Sequence, residues 1–284
     1  MSEVHQFPEQ WIEITPKGIR SSTRPAAQRV QDFRRRMEQA YYLIRCNLRK
    51  RTFSMALGGL WLVFEPILYA CLYFFLVTYI FKMTGKDARF MFIFTSVTFW
   101  RFHLKLFGNA PAIMTNNAGI LKQTNFPLQL VIYEFIGTEL FMFFWKLVVL
   151  AAFLFLNGAW PKPTWAFVPL IFAVQLTFDL MFIMFFPCIG TFFRDFGRML
   201  FIVSAIWWYM SPGMYGVNRV PESILPYYKL NPFAHILPAY HDSILLGKVP
   251  DMMPLGILFV ISLTGVVIGS QLLKRARYYF FNYL

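Results

Sequence analysis

Residues Leu57–Phe81 read LGGLWLVFEPILYACLYFFLVTYIF, an almost unbroken apolar run with one charged side chain, Glu65, followed by Pro66. A helix needs about 20 mostly apolar residues to cross roughly 30 Å of hydrocarbon, so this stretch predicts a transmembrane helix. Five more blocks follow. One begins at Phe90, is interrupted by Arg101, His103 and Lys105, and extends to residue 113. The others are Leu128–Leu156, Trp165–Ile189, Met199–Val217 and Met252–Leu273. The fold class expected is an all-α integral membrane protein of six transmembrane helices, the transmembrane domain covering 57–275.

Composition agrees. Of 284 residues, 57% are hydrophobic, 20% aromatic and only 14% charged, where a soluble domain carries about a quarter charged. The net charge of +13 raises the question of nucleic acid. Eleven of the 27 Lys and Arg precede residue 57, however, and most others sit between apolar blocks, which excludes a nucleic-acid surface. Cys46, Cys71 and Cys188 are scattered, supporting neither a disulfide framework nor a metal site. Residues 1–32 lack an apolar signal core and read as a polar tail.

Orientation follows from the basic residues around the spans. With the N-terminus inside, 19 Lys and Arg fall on the cytoplasmic side and seven on the other, so both termini are expected in the cytoplasm, with residues 276–284 as a short tail. Ahead of the first span, Phe33, Met37, Tyr41, Ile44 and Leu48 recur every three or four residues, flanked by Arg34, Arg45 and Arg49. That stripe predicts an amphipathic helix over 33–56 lying on the inner membrane face, apolar side in lipid. Between the fifth and sixth spans, Pro221, Pro226, Pro232, Pro238 and Pro250 break the chain into apolar pieces too short to cross, read as short outer re-entrant helices.

Chemistry within the chain is limited. There is no G-x-x-x-x-G-K-[ST] loop, H-E-x-x-H or G-x-S-x-G, so no cofactor or metal is assigned, no catalytic residue is named, and any ATP must be handled elsewhere. Glu65, Glu134, Glu139, Lys146 and Asp179 are ionisable groups inside spans. Each costs about 2.5–3.5 kcal/mol at a helix centre, so each either pairs with another helix or lines a polar path. Trp61, Trp100, Trp160, Trp165 and Tyr209 suit interface belts, but aromatic rings also offer flat surfaces for sliding sugars. The conduit candidates are Trp61, Glu65, Tyr69, Asp179, Trp207, Trp208 and Tyr209.

Several motifs in order resemble the permeases of ABC-2 type polysaccharide exporters, which serve O-antigen, capsular polysaccharide and teichoic acid. They are Leu57-Gly58-Gly59-Leu60-Trp61 with Glu65-Pro66; Asn117-Ala118-Gly119-Ile120-Leu121-Lys122 with Phe126-Pro127; Arg194-Asp195; Ser211-Pro212-Gly213-Met214-Tyr215; Val220-Pro221; and Leu230-Asn231-Pro232. The resemblance runs from about Arg45 to Arg277. Glu65 stands where Gln is common in that family, Gln123 where a second Lys is frequent, and His241 where Arg is often found.

The resemblance implies a homodimeric bacterial inner-membrane permease working with two ATPase subunits, which hold ATP and Mg. Its cargo is a lipid-linked polysaccharide. Residues Asn116, Asn117, Ala118, Gly119, Ile120, Leu121, Lys122 and Gln123 would form the helix that couples to the ATPase. Arg34, Arg45, Arg49, Arg51 and Arg101 would meet the lipid phosphate at entry. Ser211, Pro212, Met214, Tyr215, Asn231, Pro232 and His241 would form the outer gate. The alternatives are an ABC-2 permease for a small lipid or drug, and a membrane-embedded glycosyltransferase. Glu222, Asp242 and Asp251 are too dispersed to favour the latter.

Overall fold

The computed structural model describes residues 6–7, 10–15, 18–23, 26–53, 58–82, 90–123 and 128–283. Phe126-Pro127, Leu57, residues 83–89 and parts of the N-terminal tail lie outside the described residues. Within the stretch expected to be a polar tail, three strands, β1 (Gln6–Phe7), β2 (Gln10–Thr15) and β3 (Gly18–Thr23), pair as an antiparallel meander with Trp11 opposite Ser22 and Ile14 opposite Ile19. All other regular elements among the described residues are helical.

Helix α1 (Ala26–Phe53) starts seven residues before its expected position. Ala26, Ala27, Gln28 and Arg29 are strong helix formers, and they extend the stripe backwards to the residue after Pro25. Ala40, beside the stripe, is buried, Tyr41 of the stripe is exposed, and Ile44 is seated against Gly137, where an added Cβ would strike its side chain. At Ile44, therefore, the partner of the stripe is a protein helix rather than lipid.

A short turn at Gly58–Leu60 leads into α2 (Trp61–Phe75), which contains Pro66 and runs on through a wider turn at Leu76–Ile80. Next come α3 (Phe90–Asn109), α4 (Ile113–Asn116), α5 (Ala118–Gln123) and α6 (Leu128–Leu156). After them follow α7 (Val168–Phe192), α8 (Phe196–Tyr209), α9 (Leu225–Tyr228), α10 (Phe233–His241) and α11 (Met252–Tyr283). Among the described residues, four continuous helical stretches are long and apolar enough to cross a bilayer: Gly58–Ile80, Leu128–Leu156, Pro163–Phe192 and Met252–Ala276. α8 is apolar but shorter, ending where Ser211-Pro212-Gly213 interrupts it.

α3 is the centre of the bundle. Every residue from Ile93 to Trp100 is buried, so this part of α3 has neighbours on all sides. Thr95, Ser96 and Thr98 survive there because their hydroxyls donate to the carbonyls of Met91, Phe92 and Phe94, one turn back. α2, α6, α7, α8 and α10 all pack on α3.

α7 and α11 lie side by side. Gly265 and Gly269, four residues apart, sit on the shared face. A Cβ at Gly265 would come 2.5 Å from Met181 Cγ, and one at Gly269 would come 2.6 Å from Met184 Cβ. Small residues at that spacing let two helices approach closely without hydrophobic help from water. Conversely, α2, α8 and α11 expose rows of large apolar side chains, such as Leu68, Leu72 and Phe75, or Phe201, Ile202 and Ile206. A surface of that kind requires lipid or another protein over it.

The segment after α8 is held by side chains. α10 ends in a wide turn at Asp242–Leu246 that leaves carbonyls unsatisfied. The lead-in to α7 supplies donors: Lys162 Nζ reaches Leu245 O at 2.9 Å, Thr164 Oγ1 reaches Ser243 O at 2.7 Å, and Trp165 Nε1 reaches Ile244 O at 3.0 Å. Gly247 closes the turn at φ +68°, a conformation that strains other residues.

Candidate functional site

Each ionisable group inside an expected span has a partner on another helix. Glu65 on α2 receives Arg101 on its Oε1 and Lys146 of α6 on its Oε2 at 3.1 Å, with Lys105 3.8 Å away. Arg101 and Lys105 are four residues apart on α3, so they leave the same face. The Arg101 guanidinium also lies over the Tyr69 ring, 3.9 Å from its centroid. Two of the three polar residues that interrupt the second apolar block, Arg101 and Lys105, are therefore accommodated by a carboxylate on the neighbouring helix.

Asp179 on α7 lies 2.5 Å from His103 on α3, and both side chains are fully buried. Aromatic rings enclose His103: Trp100, Phe107, Trp207 and Phe233 all have centroids within 5.2 Å of it. Trp207 and Trp208 belong to this same aromatic packing. Trp208 is buried against Trp100 and Tyr73, while Tyr209 is exposed. Of the seven conduit candidates, Asp179 and Trp208 are enclosed by the chain itself, and Trp61 and Tyr209 lie on its surface.

Where α8 finishes, Asn231 joins two elements. Its Oδ1 accepts from Trp207 Nε1 at 2.8 Å and from the Phe233 amide at 3.0 Å, and its Nδ2 donates to Met210 O and Ser211 Oγ, both at 3.0 Å. This amide therefore fixes the start of α10 on the end of α8, with Pro232 between them. Ser211, Pro212 and Met214 are buried beside it, and Tyr215 OH donates to Tyr209 O at 2.9 Å.

The far end of α10 is held to α3. His241 Nε2 is 2.7 Å from Ser96 Oγ and 3.2 Å from Phe92 O, and the imidazole stacks on Phe92. Burial pushes its pKa down to about 3, so it stays neutral. One position earlier, Tyr240 stacks on Phe99 and donates to Gln175 Oε1 at 2.9 Å, while Gln175 donates to Phe99 O.

At the opposite end, α4 and α5 form a short helical corner between α3 and α6. Asn117 makes the turn, its Nδ2 donating to Ile113 O at 2.8 Å and its carbonyl accepting from the amides of Ile120 and Leu121. Leu121 points inward and is fully buried, while Asn116, Gly119 and Ile120 face outward. α1 lies along α6 nearby. Arg36 donates to Gln129 Oε1 at 3.0 Å, Asn47 to Glu134 Oε1 at 2.5 Å and Arg51 to Glu139 Oε1 at 2.7 Å. Arg34 pairs with Glu38 on the exposed face, where Tyr41, Tyr42, Arg45 and Arg49 also lie. The five arginines expected at one entry thus divide between an exposed face of α1, a contact with α6 and the Glu65 cluster.

Residues 38–245 match the ABC-2 type transporter family. The chain belongs to this family. Its members are the transmembrane subunits of transporters, and the matched region takes in the Glu65 cluster, the His103–Asp179 pair, the α4–α5 corner and the Asn231 junction. Similar curated proteins include the O-antigen export system permease protein RfbA of Klebsiella pneumoniae, 26% identical over 235 residues, which are 82% of this chain and 90% of that protein. A second protein of the same description from that species is 24% identical over the same shares. The Myxococcus xanthus protein with this name is 24% identical over 241 residues, 83% of this chain and 91% of its own length.

Sequence reasoning alone missed His103, Lys105 and Asn47 as partners. The spacing of Arg101 and Lys105 was the available signal, because two cations on one helix face within an apolar block require an anion nearby. Nothing in the sequence marked His103 as facing Asp179, which is 76 positions away.

Proposed function

We propose that this chain is the membrane-spanning subunit of an ATP-driven exporter that moves a lipid-linked polysaccharide of the O-antigen type out of the cytoplasm. The observation that carries this reading is the likeness to three O-antigen export permeases over about nine-tenths of their length, at the level of the whole chain rather than a motif. In this reading α3 and α8 join the four longer helices to make six spans, both termini lie in the cytoplasm, and the membrane is the bacterial inner membrane. Two copies form the conduit and two separate ATPase subunits, carrying ATP and Mg, drive it. The chain itself performs no catalysis.

The α4–α5 corner is the part that receives the stroke. It projects from the inner end of α3, with Ile120 outward and Leu121 anchored, so a push on its outer surface is delivered to the most buried helix of the bundle. α1, braced on α6, presents its basic outer face to the ATPase and to lipid headgroups. Polymer passes along aromatic surfaces such as Trp61 and Tyr209, and the α8–α10 junction closes the outer end.

The test is co-purification and reconstitution. A soluble subunit bearing a phosphate-binding loop is expected to accompany this chain in equal amounts, and polymer export should require both proteins and ATP. The Ile120→Asp variant should assemble normally yet lose stimulated ATP hydrolysis and export. Export by the chain alone, or by a gradient without an ATPase, would overturn the reading.

A further inference from the structure

Helices α2, α3 and α6 bring three cations to a single carboxylate. Arg101, Lys105 and Lys146 surround Glu65, and among the described residues Glu65 is their one acidic partner. A simple packing pair needs one cation per anion. Here two positive charges are left in surplus, in a part of the bundle where unneutralised charge is costly. Two further features distinguish the cluster from a closed salt bridge. Among the described residues, Arg101 Nε is buried with no hydrogen-bond partner, so a donor is left unused. The cluster is also open on one side: the Lys146 side chain is only 7% exposed, whereas Lys105, furthest from Glu65, is 40% exposed.

We propose that Arg101, Lys105 and Lys146 form a binding site for a phosphate-type dianion, with Glu65 as the resident counter-ion that yields its cations when the anion arrives. The planar guanidinium matches paired phosphate oxygens, and the two ammonium groups supply point charges on either side. Tyr69, beneath the guanidinium, holds Arg101 in place when Glu65 lets go. This deepens the export reading and rests on it, because the phosphate-bearing head of an exported lipid is an anion of this class. Glu65 keeps the site neutralised enough to persist when empty, and it competes with the anion so that binding remains reversible.

The experiment uses the full chain with its ATPase subunit in nanodiscs of neutral phosphatidylcholine. It is titrated with farnesyl diphosphate and, separately, with inorganic pyrophosphate, with farnesol as the uncharged control. Lys105→Gln, at the open edge, should weaken anion binding about tenfold, and Glu65→Gln should tighten it by a similar factor because the internal competitor is gone. A cluster that serves packing alone predicts no gain in Glu65→Gln. If that variant is unstable, thermal melting still reports, since farnesyl diphosphate should then raise its Tm more than that of the wild type. Either anion obeying this pattern supports the site. Farnesyl diphosphate alone obeying it assigns the site to a lipid head, and pyrophosphate alone to a free anion. Equal affinities in the wild type and both variants, or no binding to any of them, overturn the proposal. Failure of the export reading is separately visible, as a wild-type complex that binds the anion with this pattern but moves no polymer.

Discussion

The imidazole of His103 on α3 and the carboxylate of Asp179 on α7 meet at 2.5 Å with neither side chain reaching the surface. A polar pair of this kind is far more costly to break than to replace, because removing one partner strands the other in apolar surroundings. Asp179→Ala should lower stability by about 3–5 kcal/mol, whereas the double variant His103→Phe with Asp179→Leu should recover most of the loss. Thermal melting of the detergent-purified protein measures both. A double variant no more stable than the single would show that the pair contributes more than satisfied packing.

Gly265 and Gly269 test how closely α7 and α11 approach. An added methyl at Gly265 meets the flexible end of Met181, while at Gly269 it meets Met184 Cβ, which cannot swing away. Gly269→Ala should therefore cost about 1–3 kcal/mol and Gly265→Ala distinctly less. Equal melting temperatures for the two variants would contradict the packing described.

Gly137→Leu drives a side chain into the place held by Ile44 and should lift α1 from α6 without disturbing the α3 core. The expected result is faster protease cleavage within α1 and reduced ATPase stimulation, with the melting temperature of the remaining bundle nearly unchanged. Unaltered cleavage would mean that α1 is held by Arg36, Asn47 and Arg51 alone.

His241 gives a prediction in pH. Its folded pKa is about 3, below the ordinary value of 6.5, so the unfolded chain binds the proton more readily. Its contribution to stability is full above pH 6.5 and is lost as pH falls from there towards 3. His241→Gln, which keeps a donor for Phe92 O and Ser96 but does not titrate in this range, should flatten that part of the stability–pH curve. The difference between the two curves, measured by thermal melting from pH 8 to about 4, isolates the imidazole's effect from that of the carboxylates.

Much of the architecture was legible because apolar length is a strong signal. The expected bounds Leu128–Leu156 are those of α6, and Leu57–Phe81 and Met252–Leu273 lie within a residue or two of helices or inside them. The fifth block, expected to run to Val217, ends at Tyr209, because Ser211-Pro212-Gly213 breaks the helix although the residues beyond it are still apolar enough to prolong the run. Short helices between Asn218 and Asp251 were signalled by the prolines and are present as α9 and α10. The strands at 6–23 are not expected from composition, because the only apolar alternation there, Ile12 and Ile14 in β2, spans too few residues to stand out in a mixed-charge tail. Partner choice was the main loss. A sequence shows that Glu65 and Asp179 need partners, but each residue turns a helix by about 100°, so the facing side chain depends on rotations that only packing determines.

α3 is pinned at three heights: Ser96 to His241 on α10, Arg101 to Glu65 on α2, and His103 to Asp179 on α7. A rod bolted to three neighbours cannot slip along its own axis without shearing a bolt, so displacement at one end tilts its neighbours with it. With these three contacts in place the bundle should transmit a displacement as a lever does rather than absorb it as a spring. Loosening the Ser96–His241 contact, the lightest of the three, should leave the lever standing but blur the timing between its two ends.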